Sequence, residues 1–284
     1  MILVTCATGK VGQHVVKELA ARGQKPRLFL RDPAKGAQFK GVTSDVVPGD
    51  FDKPDTVAKG LEGAEAVFLA TPPDQRQLAW EKAFIDAAKA AGVKRLVYLS
   101  AIGSTPDSPL ALGRAHAAVE ASLKASGIPY TIFQPNSFMQ NFLTDAATIR
   151  SQGAIYRTSE DTQVSFIDAR DIGAAAAVVL TEDGHAGKTY LLTGPEPVSY
   201  REVAALIGKA VGKALKYVAV SEADGKKAMV GAGMPEWFAD DLIALQRLFK
   251  AGKGAVVTTD LPRLLPDVPR TVDDFAKDYK AQFK

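Results

Sequence analysis

The residues with the most evident chemical use open the chain. Cys6-Ala-Thr-Gly9-Lys-Val-Gly12 follows the apolar run Ile2-Leu3-Val4 and leads into an amphipathic pattern at Val11, Val15, Val16, Leu19 and Ala20. Glycines let a backbone approach a diphosphate closely. A helix N-terminus adds unpaired N–H groups and the positive end of a dipole. Strand, tight turn and helix in that order read as the phosphate loop of a dinucleotide site. Dinucleotide fingerprints usually carry one more glycine, and Cys6 stands in its place, so an ordinary strand-to-helix turn fits the same residues. Cys6 itself reads as a small buried thiol with no base arranged to activate it.

Further candidates lie downstream. Arg31 ends the run Pro26-Arg-Leu-Phe-Leu30, where an acid would bind a ribose 2′-hydroxyl. A guanidinium there suits a 2′-phosphate, and Lys35 is close enough in sequence to help. Asp32 opposes this unless it caps the turn before Pro33. The expectation is therefore NADP(H), with NAD(H) less favoured. Asp50 and Phe51 fall where the adenine edge would be, and a capping Asp with a core Phe fits equally. His116 and Glu120 sit one helical turn apart and can act as a proton donor with its orienting partner, or simply pair along one helix face. Asn136 can hold a carboxamide or an acceptor oxygen, or cap a turn. Phe138, Met139, Phe142, Phe166 and Trp237 can line a flat apolar substrate cleft, or form plain core.

Elements must position these side chains. Strand-like runs at 2–4, 26–30, 45–52 (ending in a turn), 66–70, 95–100 and 130–133 mostly alternate with helical patterns at about 11–21, 54–61, 80–91 and 111–126. That rhythm predicts a doubly wound parallel sheet of Rossmann type over residues 1–136. Ligands of such sheets bind beyond the carboxyl ends of strands, so Ala70, Thr71, Pro72, Ser100 and Ala101 should border the nucleotide. After Asn136 the rhythm breaks. Expected there are a strand at 164–168, an alanine-rich helix to Leu180, a strand at 188–193, a helix opened by the capping box Ser199-Tyr-Arg-Glu202, and an extended run at 217–220. The last sixty or so residues read as mostly helical, broken by Pro262, Pro266 and Pro269. Residues 137–284 form a smaller α+β lobe in this reading, with a stretch near 160–195 returning to the first domain.

Composition bounds the rest. The 284 residues carry a net charge of +3 and are 46% hydrophobic and 24% charged, ordinary for a globular protein. The basic residues are scattered, which is no nucleic-acid footprint and no polybasic membrane anchor. No apolar run nears the roughly 20 residues of a membrane span. The start of the chain shows no basic leader with a long apolar core. One cysteine and three histidines argue against a disulfide framework or a structural metal. A cytoplasmic protein, monomer or homodimer, is the expectation.

Several motifs together resemble the NmrA-like group of atypical extended short-chain dehydrogenases/reductases. They are Thr5-x-Ala-Thr-Gly9-x-Val-Gly12, Arg31-Asp32-Pro33, Gly49-Asp50, Pro135-Asn136-x-Phe138-Met-x-Asn141-Phe, Ser165-Phe-Ile-Asp168-x-Arg-Asp171-Ile and Thr193-Gly-Pro. Within the group the chain is most similar to NADPH-dependent quinone reductases and triphenylmethane dye reductases, and Leu180-Thr-Glu-Asp-Gly-His-x-Gly-Lys-Thr-Tyr190 is one such stretch. The resemblance implies that Thr8, Gly9, Lys10, Val11 and Gly12 face the pyrophosphate and Arg31 the 2′-phosphate. It puts Asp50 and Phe51 at the adenine, Ala70 and Thr71 along the ribose, and Pro135, Asn136, Ser137 and Phe138 near the nicotinamide. Gln134 stands where the group would have an arginine.

Most enzymes of that superfamily protonate an alkoxide with a Tyr-x-x-x-Lys pair beside a Ser. Ser100 fits the Ser, but the helix reads His116-Ala-Ala-Val-Glu120, with no tyrosine between Tyr98 and Tyr130. Ketone reduction and sugar epimerisation need a positioned acid. A quinone gives a ring-stabilised anion, and a triarylmethane cation needs hydride alone. The expected function is hydride transfer from NADPH to a quinone or similar conjugated aromatic acceptor. The alternative is a non-catalytic NADP(H)-sensing regulator acting through a protein partner.

Overall fold

The computed structural model describes residues 1–159, 162–265 and 269–284. Pro266 and the start of the returning stretch near 160 lie outside these described residues.

Seven parallel strands form the main sheet. They are β1 (Ile2–Thr5), β2 (Arg27–Leu30), β3 (Asp45–Pro48), β4 (Ala66–Leu69), β5 (Arg95–Leu99), β6 (Tyr130–Pro135) and, much later in the chain, β9 (Lys188–Leu192), in the order β3-β2-β1-β4-β5-β6-β9. β1 and β4 are buried along their whole length, as short apolar runs covered on both faces should be. The strand order reverses between β1 and β4, and there the carboxyl ends open a crevice. Thr5 shapes its floor: its hydroxyl donates to the Ala70 carbonyl at 2.7 Å and accepts from the Ala70 N–H at 2.8 Å.

One face of the sheet is covered by α1 (Gly12–Ala21) and α6 (Ala169–Thr181), the other by α2 (Pro54–Leu61), α3 (Gln77–Ala90) and α4 (Ala111–Ser126). Alanines let α6 sit close. At Gly173 a Cβ would lie 2.5 Å from the Cβ of His14, so the α1–α6 contact requires glycine there. A 3-10 helix over Pro33–Phe39 takes the place of an α-helix between β2 and β3.

A second core gathers Phe142, Ile155, Phe166, Tyr200, Ile207, Phe275 and their neighbours. It lies under α5 (Ala146–Gln152), α7 (Tyr200–Val211), α9 (Glu236–Lys250), α11 (Val272–Asp278) and α12 (Lys280–Phe283). Two small sheets belong to this region. β7 (Ala154–Arg157) pairs in parallel with β11 (Lys216–Ala219), and β8 (Gln163–Val164) pairs antiparallel with β10 (Val198–Ser199). The helix α8 (Glu222–Gly231) precedes α9. The capping box at Ser199 and Glu202 opens α7 as read from sequence.

Some expectations change. The strand expected over 164–168 pairs only through Val164 and an isolated bridge from Ile167 to Phe138. The aromatic stretch after Asn136 is a 3-10 helix, Met139–Asp145, and β7 gave no clear sequence signal. Pro262 does not break a helix. It sits in the first turn of α10 (Asp260–Leu264), where its missing N–H has no intrahelical acceptor to lose.

Side chains of one region tie down backbone of the other. Asp241 of α9, 6% exposed, accepts the N–H groups of Ala111 and Leu112 at 2.7 and 2.8 Å. A carboxylate thus caps the positive end of α4 from 130 residues away. Asp241→Ala is expected to lower unfolding stability by about 2 kcal/mol, read as a lower midpoint in urea with an unchanged slope.

Candidate functional site

The phosphate loop is built as its sequence suggests. The Gly9 N–H donates to the Cys6 carbonyl at 2.8 Å, closing a tight turn. A Cβ on Gly12 would lie 2.2 Å from that same carbonyl, so Gly12 is required by the turn itself. Among the described residues no side chain caps α1, whereas α6, α7 and α11 are capped by Asp168, Ser199 and Thr271. The N–H groups of Gln13 and His14 already donate to the Gly9 and Val11 carbonyls at 3.3 and 2.8 Å, which leaves the Gly12 N–H at the start of α1 for an anion.

Cys6 adopts φ +47°, the left-handed region that glycine tolerates best. It thus takes the backbone role of the missing glycine without its chemistry. Burial, reinforced by the Glu81 carboxylate and opposed by Arg31, pushes the thiol up to about 12. Cys6 should react with an aromatic disulfide reagent at pH 7.5 at least about 100-fold more slowly than free cysteine, because so little thiolate forms. A rate close to that of the free thiol contradicts this placement.

Cations gather at the same edge. Arg31 is exposed and makes no ion pair among the described residues, and Lys35 is exposed beside it. Asp32 is turned away: its carboxylate accepts the Ala34 N–H at 3.1 Å and caps the 3-10 helix. Asp32 thus has the turn-capping role that the sequence offered for it. Lys10 donates to the Asn141 side-chain oxygen at 2.7 Å, and Asn141 in turn donates to the Ser137 hydroxyl at 3.4 Å.

Asp50 holds a turn. Its carboxylate accepts the Asp52 N–H, and its own N–H donates to Thr56. Phe51 belongs to an aromatic cluster with Phe29 and Phe84 and stacks on Trp80 with ring centres 6.0 Å apart. The Arg76 guanidinium lies over the Trp80 ring, 4.5 Å from its centre. Phe29, Trp80 and Phe84 are buried, so only Phe51 of this cluster keeps some exposure at the end of β3.

The carboxyl ends of β4 and β5 carry polar side chains. Thr71 donates to Glu81 of α3 at 2.7 Å. Ser100, buried, donates to Glu120 at 2.6 Å, and Gln134 donates to the same carboxylate at 2.7 Å. Glu120 therefore does not orient His116, contrary to expectation. The His116 partners are the Tyr98 hydroxyl, 2.6 Å from Nδ1, and Gln77 at 3.4 Å. Burial pushes His116 down to about 4, so the ring is neutral at physiological pH.

Two more assignments need correction. Asn136 is 1% exposed, donates to the Gly254 carbonyl at 2.8 Å and accepts the Ser137 N–H at 2.8 Å. Both ends of its amide are engaged, so it fixes the loop after β6 rather than offering itself to a reactant. Met139, Phe142 and Phe166 are at most 2% exposed, and the two phenylalanines pack edge-to-face with Tyr200. They are core. Phe138 and Trp237 stay half-exposed, as does Ser137, whereas Pro135 and Ala70 are buried and Pro72 and Ala101 keep some exposure. The motif around Asp168 is also structural: its buried carboxylate binds Arg170 at 2.7 Å and accepts from Gln140 at 2.7 Å.

Fold and site define a dinucleotide-binding α/β protein of Rossmann type. The chain belongs to the NmrA-like family, whose profile matches residues 1–276. It is 39% identical to an NAD(P)H azoreductase of Xenophilus azovorans over all of this chain and 99% of that one. Its fold is similar to the triphenylmethane reductase of Citrobacter sp. complexed with NADP(H), with 26% identity, a TM-score of 0.85 and 98% and 99% of the two chains covered. It is likewise similar to an NADPH-dependent quinone oxidoreductase of Escherichia coli complexed with NADPH, with 29% identity, a TM-score of 0.88 and the same coverage. Among the described residues, no helix is long and apolar enough to cross a membrane, and no group of three or more acids, histidines or cysteines is arranged for a metal.

Proposed function

We propose that the chain is an NADPH-dependent reductase that transfers hydride to a quinone or a similar conjugated aromatic acceptor. One observation carries the reading: a cationic nucleotide edge, with Arg31 exposed and free of an ion pair among the described residues, in a chain whose α4 lacks any Tyr-x-x-x-Lys pair. The names of the relatives agree with it.

The residues present fit NADP(H). The uncapped N-terminus of α1 and the turn at Gly9 and Gly12 would hold the diphosphate, with Thr8, Lys10 and Val11 around it. Arg31 and Lys35 would take the 2′-phosphate. Asp50 and Phe51 would border the adenine, Ala70, Thr71 and Pro72 the ribose, and Ser100, Ala101 and Pro135 to Phe138 the nicotinamide. When bound, the reduced cofactor supplies a hydride. The chain's task is then close, dry positioning more than acid catalysis, which suits acceptors whose anions are stabilised by a ring. Phe138 and Trp237 remain as substrate contacts. In the same reading, residues 1–136 with the stretch near 160–195 bind the nucleotide and 137–284 form the substrate lobe. The protein acts in the cytoplasm as a monomer or homodimer, with no nucleic-acid or membrane partner.

The test is NADPH oxidation by the purified protein with small quinones and one triarylmethane dye, repeated with NADH. Rapid oxidation that depends on the acceptor and favours NADPH supports the reading. Tight NADPH binding without turnover on any acceptor points instead to a cofactor-sensing regulator.

A further inference from the structure

Below the carboxyl ends of β4 and β5 lies a chain of polar side chains that the hydride step does not use. Thr71 is 2.7 Å from Glu81, Glu81 is 2.7 Å from the Tyr98 hydroxyl, and that hydroxyl is 2.6 Å from His116 Nδ1. Gln77, one turn before Glu81 on α3, lies 3.3 to 3.4 Å from the carboxyl oxygens and the imidazole. Glu81 and Tyr98 are fully buried, while the two ends of the chain, Thr71 and His116, are half-exposed.

A buried carboxylate normally has a cation beside it. Glu81 has none among the described residues. Its neighbours are the Thr71 hydroxyl after β4, Gln77 on its own helix and the Tyr98 hydroxyl on β5. The other titratable groups around the chain are Cys6 of the phosphate loop, His116 of α4, and Glu120, which acts on Tyr98. Burial drives the Glu81 carboxyl up to about 7, against the hydrogen bonds from Thr71, Tyr98 and Gln77. At neutral pH it therefore stores a proton that it can also release.

We propose that Glu81, Tyr98 and His116 form a buried proton relay, with Glu81 as its store and His116 as its outlet, that protonates the anion left by hydride transfer. This rests on the reductase reading. With Glu81 protonated, its O–H donates to the Tyr98 oxygen, the Tyr98 O–H donates to His116 Nδ1, and His116 carries its proton on Nε2. The hydride brings both electrons to the acceptor. The acceptor oxyanion then takes the Nε2 proton, Nδ1 takes the proton of Tyr98, and Tyr98 takes that of Glu81. The relay ends with a carboxylate on Glu81 and a neutral Nδ1–H imidazole, with no redox change in the protein. Solvent returns one proton after product leaves. Glu81 acts through its neighbours and is a positioning residue in this scheme.

The two acceptor types separate this role from a structural one. Quinone reduction uses a proton, and reduction of a triarylmethane cation does not. In the intact protein the quinone-to-dye rate ratio is expected to fall about tenfold as pH rises from about 6 to 8. In Glu81→Gln and in Tyr98→Phe the ratio should be about tenfold lower at pH 6 and flat with pH. A ratio and pH profile unchanged in both variants overturns the relay. A wild type that reduces neither acceptor contradicts the reductase reading instead. In that case difference infrared spectroscopy still decides about the store: a carboxylic acid band that titrates near pH 7 and vanishes in Glu81→Gln upholds it, and absence of the band overturns it.

Discussion

Arg31→Ala should raise the Kd for NADPH about 30- to 150-fold and change that for NADH less than about threefold. The two cofactors differ only by the 2′-phosphate, so the ratio isolates one contact. A charge-assisted pair of hydrogen bonds from a guanidinium to a phosphate is worth about 2–3 kcal/mol, which converts to that factor. The structure makes the guanidinium available for this, since it is exposed and without an ion pair among the described residues. Asp32 makes no ion pair with it and caps the turn through the Ala34 N–H. Titration of cofactor fluorescence gives both constants. Equal weakening of NADPH and NADH would remove Arg31 from the 2′-phosphate.

Asp168→Ala should cost about 3–5 kcal/mol of folding stability, the largest loss expected of any single substitution considered for this chain. The carboxylate is fully buried and has several partners. It caps α6 through the Arg170 N–H at 2.8 Å, binds the Arg170 guanidinium, and accepts from Gln140 of the 3-10 helix after β6. Burial alone would raise its pKa, but the bonds and charge of Arg170 hold it below the usual carboxylate range. A group whose folded pKa is depressed contributes stability above its unfolded pKa, and loses it as pH falls through the folded one. Asp168 therefore stabilises the protein at neutral pH and ceases to do so in acid. Alanine leaves Arg170 half-buried with Asp278 as its remaining carboxylate partner and strands the Gln140 amide. Asp168→Asn keeps the shape and should lose roughly half as much. Urea unfolding at pH 7 measures both, and a loss under about 1 kcal/mol for alanine contradicts the role.

Much of this architecture is legible in the amino-acid order because it depends on local pattern. Each strand of the first 136 residues is a short apolar run, and the helices of that region carry their apolar stripes at the expected spacing. The capping box at Ser199 and Glu202 and the cap at Asp32 are contacts within three residues, so sequence can name them. The interior of the site depends on distant partners, and there the reading fails in particular ways. Glu120 lies one turn from His116, a spacing that suggests a pair, yet Ser100 just after β5 and Gln134 of β6 claim it. Asn136 reads from sequence either as a partner for a reactant or as a turn cap, because nothing local shows that the Gly254 carbonyl, 118 residues away, takes its amide. Phe142 and Phe166 read as cleft or as core, because sequence alone does not separate the two for aromatic side chains. Glu81 did leave a trace. Gln77 and Glu81 fall on the same stripe of α3 as Phe84, Ile85 and Ala88, all buried. Two polar side chains on an otherwise apolar helix face are the mark of a buried hydrogen-bonded cluster.

The central claim is that this chain moves a hydride from NADPH to an electron-poor aromatic acceptor. The most direct measurement follows the hydrogen itself, by mass spectrometry of the leuco dye formed from a triarylmethane cation and NADPH dideuterated at the nicotinamide C4. The account predicts one deuterium on the central carbon of the product, retained when the reaction is run in ordinary water and absent when unlabelled NADPH is used in heavy water. A product that takes its central hydrogen from solvent, or no product while NADPH stays bound, would contradict it.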